Sequence, residues 1–441
     1  MPTRDELKRA VCEAIDAARD EIIRVGEDIY HHPEPGFREF RTAEVIADHF
    51  AAWGIPFATG LAITGVRGEI RGGADGPAVA VLGELDSLII PDHVAADPRT
   101  GAAHACGHNA QVANMLGVGL GLLRSGVHRY LAGRVVLFGV PAEEYIEIEA
   151  RLELRRQGKV EFLGGKPELL RLGAFDDIDM AMLTHSSTDR SFRLGVPAGS
   201  NGMVAKFVRF IGRASHAGAA PHRGINALNA AMLALSAIHA NRETFQEKDT
   251  VRIHPIITKG GDVVNIVPAD VRMEAFVRAL NLEALEDAAR KVDRSFRAGA
   301  LAVGARVVIE TLPGYLPLEQ NPDLVAIYRS NAIALVGEEG YRDLPPIQAS
   351  TDAGDLSHVL PVLHPSASGS AGQIHGADFR IEDPELAYVV PAKAMAMTVV
   401  DLLADGAALA RQVRARFRPK LTKTGYLEMM RRLFSVQEYA E

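Results

Sequence analysis

Two cysteines, Cys12 and Cys106, are all that 441 residues contain, and they lie far apart in the chain. That excludes a disulfide framework and fits a reducing compartment. No uninterrupted apolar run approaches the length of a membrane span. The opening residues, Met1-Pro2-Thr3-Arg4-Asp5-Glu6-Leu7-Lys8, lack the apolar centre of a secretory signal. The expectation from these absences is a soluble cytoplasmic protein with no membrane partner. Excess positive charge is also missing: the formal net charge is -8, which argues against nucleic acid as a partner. With 47% hydrophobic and 24% charged residues the composition is that of an ordinary globular protein, neither disordered nor fibrous. A chain of 441 residues exceeds one core of ordinary size, so two domains are expected.

What the chain does have is a pair of short polar segments at informative places. Pro141-Ala142-Glu143-Glu144 ends an apolar run, Arg134-Val135-Val136-Leu137-Phe138-Gly139-Val140, that reads as a strand. Some thirty-five residues earlier stands His104-Ala105-Cys106-Gly107-His108-Asn109. Each residue has an ordinary reading on its own. Cys106 alone is a buried small hydrophobe, His108 a satisfied polar group, and Glu143-Glu144 a solvated helix start. Together they are harder to dismiss. Cys106 and His108 are two metal-type ligands separated by one glycine. Two adjacent carboxylates at a strand end can divide the labour, one binding metal and the other moving a proton. Such a buried acidic pair is costly without a cation or a catalytic use. The combination points to a metal-activated water and a general base, the equipment of a hydrolase. Fifteen histidines are present, and most need not be ligands. Cys12, in a helical pattern, reads as structural.

The first third of the chain alternates helical and strand-like patterns. Ala78-Val79-Ala80-Val81-Leu82-Gly83-Glu84 is a second buried-strand pattern ending in acid. This alternation predicts an α/β fold with a mostly parallel sheet, whose chemistry collects at the carboxyl ends of strands. Glu84-Leu85-Asp86 and Glu143-Glu144 both fall at such ends. Residues 146–176 are charged and irregular and read as a surface excursion, a candidate lid. From about residue 199 the order is strand-helix-strand-strand-helix-strand, an α+β block with helices on one face. After Gly314-Tyr315-Leu316-Pro317 the α/β pattern resumes. The expected division is 1–198 for the first part of a catalytic metal-binding domain, 199–312 for an inserted α+β domain, and 313–441 for the second catalytic part. The basic, amphipathic tail after Arg411 reads as a C-terminal helix.

These motifs, in this order over nearly the whole chain, resemble the dinuclear metallopeptidase superfamily of aminoacylases, indoleacetyl-amino-acid amidohydrolases and aminobenzoyl-glutamate hydrolases. The resemblance is carried by His32-Pro33-Glu34 through Glu39, Gly83-Glu84-Leu85-Asp86, Cys106-Gly107-His108-Asn109 and Pro141-Ala142-Glu143-Glu144. In the inserted block it is carried by Gly212-Arg213-Ala214-Ser215-His216-Ala217-Gly218, Gly224-Ile225-Asn226-Ala227-Leu228 and Gly260-Gly261-Asp262-Val263-Val264-Asn265. Ser350-Thr351-Asp352-Ala353-Gly354-Asp355 and Ile374-His375-Gly376 complete it.

The resemblance implies a role for each position. Cys106 would bridge two divalent metals, manganese or zinc, as a thiolate. His108 and Glu144 would complete one site, and His185 with His375 the other. Glu143 would be the general base, and Asp86 would orient a ligand. The inserted block would be a dimerisation domain, its His216 reaching the partner's site in a homodimer. Asn265 and Arg278 would anchor a substrate carboxylate or help stabilise negative charge. His364 rivals His375, which the family pattern favours; His104 and His358 are supporting or structural candidates. Asn109 stands where many members have Asp, Ser186 where Pro is common after the histidine, and His254-Pro255-Ile256 where His-Gly-Ile is usual. The activity implied is hydrolysis of a small N-acyl or N-aminoacyl amino acid, or an aminobenzoyl-amino-acid-like compound. Two alternatives stand beside it: hydrolytic deamination of an electron-poor aromatic acid by the same water, and a non-catalytic small-molecule binding protein on this fold.

Overall fold

The computed structural model describes residues 2–440. The chain folds as two compact units, one made of Met1–Ala198, Glu319–Pro345 and Asp355–Lys420, the other of Gly199–Leu318, Pro346–Gly354 and Leu421–Glu441. Helix α1 (Arg4–Ala17) opens the first unit on Thr3. The Thr3 hydroxyl accepts from the Glu6 amide at 3.3 Å, and the Glu6 carboxylate accepts from the Thr3 amide at 2.7 Å. This reciprocal cap satisfies amides that a first helical turn leaves over. Then come α2 (Arg19–Tyr30), α3 (Phe40–Ala52), β1 (Phe57–Leu61), β2 (Gly65–Arg71) and β3 (Ala74–Glu84). Helix α4 (His108–Arg124) leads to β4 (Ala132–Val140), α5 (Ile148–Arg156), α6 (Gly165–Leu172), β5 (Met180–Met182) and β6 (His185–Ser186).

The second unit holds β7 (Gly202–Ile211), α7 (Ala227–Ala240), β8 (Arg252–Lys259), β9 (Asp270–Ala279), α8 (Leu282–Leu301) and β10 (Arg306–Tyr315). The chain then returns to the first unit with β11 (Val362–Leu363) and α9 (Val390–Leu403). It ends in the second unit with α10 (Lys423–Leu433) and β12 (Ser435–Tyr439).

The sheet of the first unit has the order β1-β2-β4-β3-β5-β11. Its β4, β3, β5 and β11 run parallel, while β1 and β2 form an antiparallel margin. Strand β3 is buried from Pro77 to Glu84, as expected of a parallel strand covered on both faces. Helix α4 is buried from His108 to Leu122, which explains its weak polar face. The stretch Glu385–Leu403 is long and apolar enough to cross a membrane, yet 89% of its apolar window is buried inside the fold. Register decides where the chemistry goes. Gly83 pairs with Gly139, Glu84 with Val140, and Val81 with Met182. The carboxyl ends of β3, β4 and β5 are therefore level, and Asp86, Glu143-Glu144 and His185 emerge at one edge.

Residues 146–176 differ from the irregular surface excursion that their charges suggested. They form α5 and α6, and α6 is buried from Gly165 to Leu170. Arg151, Lys166 and Glu168 are internal because each has a partner, while Glu149, Glu153 and Arg156 of α5 stay exposed. Lys166 pairs with Glu84 at 2.6 Å, and Arg151 donates to the Leu163 carbonyl at 2.7 Å. Glu168 accepts from the amides of Glu161 and Phe162 at 3.0 and 3.1 Å.

The second unit is an antiparallel sheet in the order β8-β9-β7-β10-β12, its core shared with α7 and α8. The expected division left the whole tail in the catalytic part. The structure instead attaches Leu421–Glu441 to this unit, because β12 pairs with β10, Val307 opposite Tyr439 and Thr311 opposite Ser435. A five-residue edge strand after a helix leaves little periodicity to read.

Candidate metal centre

Gly107 shapes the turn that presents Cys106 and His108. Its φ is 82°, a left-handed conformation that suits glycine, and a Cβ there would lie 2.2 Å from Ser186 Oγ. Helix α4 starts at His108. The His108 ring is held through Nδ1, which lies 2.9 Å from the Asp86 carbonyl and 3.2 Å from Asp86 Oδ1. Nε2 of His108 is thereby left for a cation. The other carboxylate oxygen of Asp86 accepts from the Glu144 amide at 2.9 Å. One buried carboxylate thus ties the end of β3 to α4 and to the double-glutamate turn.

That turn carries strain. Ala142 has a φ of 52°, uncommon for a residue with a Cβ. Its amide donates to Glu39 Oε1 at 2.8 Å, and the Thr64 hydroxyl donates to Glu39 Oε2 at 2.6 Å. Glu39 is fully buried. Burial, and then the charge of Asp86, push its carboxyl up to about 7. His375 is strained as well, with a φ of 63°, and is anchored by its amide to the Ala105 carbonyl at 2.8 Å. Non-glycine residues held in this region cluster at functional sites.

Three groups of potential ligand atoms, each mutually within 4.8 Å, result. Cys106, His108 and His185 form one; Cys106, Glu144 and His375 form another; Glu84, His108 and Glu143 form the third. Cys106 is common to the first two. The pairing differs from the sequence expectation, which joined His108 with Glu144 and His185 with His375. Cys106 Sγ lies 3.3 Å from His185 Nε2, and His375 Nε2 lies 3.2 Å from Glu144 Oε1. The level ends of β3 and β5 put His185 beside His108. The loop that carries His375 runs along Ala105 and faces Glu144.

The electrostatics suit a cation. Burial and Glu144 raise the Cys106 thiol, yet His185 and His108 carry it down to about 6. Burial opposes a charge on His375, but hydrogen bonds to Cys106 and Glu144 lift it to about 11. Burial likewise opposes a charge on His108, and Glu84 and Cys106 raise it well above its ordinary value. In effect protons settle on imidazoles where positive charge is wanted. Glu144 Oε1 and His108 Nε2 are buried and face only ionisable partners, His375 at 3.2 Å and Glu84 at 3.1 Å. A thiolate with imidazoles and carboxylates is a donor set for divalent transition-metal ions.

Glu143 is 7% exposed and lies 3.8 Å from His108 Nε2. His364 stacks on His185 with ring centroids 5.8 Å apart and belongs to none of the ligand groups. Burial lowers it to about 3, and does the same for His104. Asn109 is fully buried, and its side-chain amide donates to the Gly26 carbonyl and the Tyr388 hydroxyl at 3.2 and 3.0 Å. It fastens α4 to its neighbours, which accounts for Asn where an acid is common. Sequence reasoning gave no role to Glu84, Gln111 or Lys166, all buried around His108. An acid two residues before Asp86, at the end of a buried-strand pattern, was the available signal.

His216, Asn265 and Arg278 belong to the second unit. Nδ1 of His216 accepts from the amides of Gly218 and Ala219 at 3.2 and 3.0 Å. The proton of the neutral ring is therefore on Nε2, which can act as a donor. The Ala217 amide donates to the Asn265 carbonyl at 2.9 Å, so the two loops are joined. Arg278, on β9, is half-buried with its guanidinium 5.7 Å from the Phe276 ring centroid.

Comparison with known proteins agrees with this geometry. Residues 199–302 match the family model described as a peptidase dimerisation domain. Over 438 residues the chain is 31% identical to the Xaa-Arg dipeptidase of Mus musculus, covering 94% of this chain and 93% of that one. Among solved structures, a dinuclear metal-binding peptidase of the M20 family from Bacillus subtilis superposes with a TM-score of 0.68 at 22% identity. That match covers 88% of this chain and 99% of the other. An aminobenzoyl-glutamate utilization protein from Klebsiella pneumoniae gives 0.64 at 19% identity, covering 88% and 98%. The chain belongs to the M20 family of dinuclear metallopeptidases and is a metal-dependent hydrolase of amide bonds.

Proposed function

We propose that this enzyme cleaves the amide bond of a small N-acyl or N-aminoacyl amino acid with a free carboxylate, a dipeptide being the leading candidate. One observation carries the reading: Glu143 and Glu144 are adjacent at one strand end, and only Glu144 is grouped with Cys106 and His375. Cys106, His108 and His185 would hold one divalent ion, and Cys106, Glu144 and His375 a second, manganese or zinc. When bound, these ions supply Lewis acidity that brings the pKa of water toward neutrality. Glu143 accepts the proton of the attacking water and passes it to the leaving nitrogen. Asp86 keeps His108 in one tautomer. His216 is the donor for the developing oxyanion, through the Nε2 proton that its Nδ1 contacts leave outward. Asn265 and Arg278 recognise the substrate carboxylate, Arg through its planar fork. The second unit mediates a homodimer, and the relatives named Xaa-Arg dipeptidase support the choice of dipeptides.

The test is turnover on a panel of dipeptides, some with C-terminal arginine, N-acyl amino acids, aminobenzoyl-glutamate and amino-substituted aromatic acids. Cleavage into two amide-derived products is the expected result. Ammonia release from the aromatic acids, with no cleavage elsewhere in the panel, would replace this reading by deamination.

A further inference from the structure

We propose that Lys166 is a charge-balancing, positioning residue for the metal centre, acting on it through Glu84; this rests on the two-ion reading above. Lys166 is completely buried, and its Nζ lies 2.6 Å from Glu84 Oε1. Glu84 is 1% exposed, and its Oε2 lies 3.1 Å from His108 Nε2. That nitrogen is the one Asp86 leaves for a cation. Oε2 also accepts from Gln111 Nε2 at 2.6 Å. Gln111 is three residues beyond His108 on α4, so both side chains share one helix face. Glu84 is therefore held at one oxygen by the ammonium and at the other by an amide, with the second oxygen turned toward the cation side of His108.

The placement of Lys166 is built into the double-glutamate turn. Helix α6 begins at Gly165, whose amide donates to the Ala142 carbonyl at 3.1 Å. A Cβ on Gly165 would lie 1.6 Å from the Pro141 carbonyl oxygen. Glycine alone lets the helix start against this turn, and Lys166 is the next residue. Charge gives the reason for the lysine. The Cys106 thiolate, Glu84, Asp86, Glu143 and Glu144 are five acidic groups on or beside the ligand clusters. Two divalent ions would offset four of these negative charges, and Lys166 the remaining one. A carboxylate buried beside His108 with no such partner would compete with water and substrate for the ions.

The pair makes opposite demands on its two halves, and cobalt binding reads them. Cobalt(II) is titrated into chelator-stripped wild type, Lys166→Met, Glu84→Gln and the double variant. Affinity and the thiolate-to-cobalt absorption are recorded, with circular dichroism confirming each fold. Lys166→Met is expected to bind cobalt about tenfold more tightly and to shift the absorption, because an unbalanced negative charge faces the ion. Glu84→Gln is expected to bind about tenfold more weakly, and the double variant to return to within about threefold of wild type. If Lys166→Met does not fold, Glu84→Gln and the double variant carry the same test. Folded variants with the affinity and spectrum of wild type would reduce Lys166 to packing and overturn the proposal. A wild type with no cobalt absorption dependent on Cys106 would instead overturn the two-ion reading itself.

Discussion

Cys106 is the residue that two of the three ligand groups share, and its acidity is a consequence that can be measured. In the metal-free protein its thiol is lowered to about 6 by His185 and His108 against burial. Burial pushes the other thiol, Cys12, up to about 11. A thiolate absorption titration of metal-free protein should show one thiol ionising near pH 6 and none other below pH 9, and Cys106→Ala should abolish that step. The sign for stability follows. A depressed folded pKa contributes stability that is complete above the unfolded value of 9.0 and is lost as pH falls through about 6. An unbroken baseline through pH 6 would contradict the clustered imidazolium–thiolate arrangement. The neighbouring glutamates separate in a second comparison. Glu143→Gln should keep its metal and lose turnover by about a hundredfold or more. Glu144→Gln should lose metal affinity, measured by elemental analysis after dialysis. Equal metal retention in the two, with Glu143→Gln still active, would sink the division of roles.

The elements show why part of this site could be read from sequence and part could not. Cys106, His108, Glu143 and Glu144 are local: two short motifs fix them, and strand ends in parallel sheets fix where they go. The alternating pattern also gave the buried strands β3 and β4 directly. The pairing of His185 with His108 was not local, because it depends on the register between β5 and β3. The burial of α6 was hidden for a different reason. Lys166, Glu168 and Arg171 read as solvated charges unless their partners, one of them 82 residues away, are known. The α4 turn offers the test at this scale. Gly107→Ala would put a Cβ into a left-handed backbone and against Ser186. Destabilisation of about 2 kcal/mol or more is expected, with metal affinity falling alongside, measured by denaturant unfolding and metal titration. A variant as stable and as well metallated as wild type would mean that the turn is not the device that aims His108.

The whole molecule combines a unit that carries the candidate metal ligands with a unit that matches a dimerisation domain. The proposed role of His216 across a homodimer makes a complementation forecast. Glu143→Gln and His216→Ala should each be nearly inactive alone. Mixed and refolded, they should form heterodimers in which one composite site is intact and turnover recovers to at most roughly half of wild type. No recovery in heterodimers verified by native mass spectrometry would confine His216 to its own subunit or remove it from the reaction. The central claim, metal-dependent amide hydrolysis at the Cys106 cluster, is tested most directly by dipeptide turnover of chelator-stripped protein before and after manganese or zinc is restored. The stripped protein is expected to be slower by about a thousandfold, with activity returning as the metal is bound. Undiminished turnover in protein shown by elemental analysis to be metal-free would contradict it.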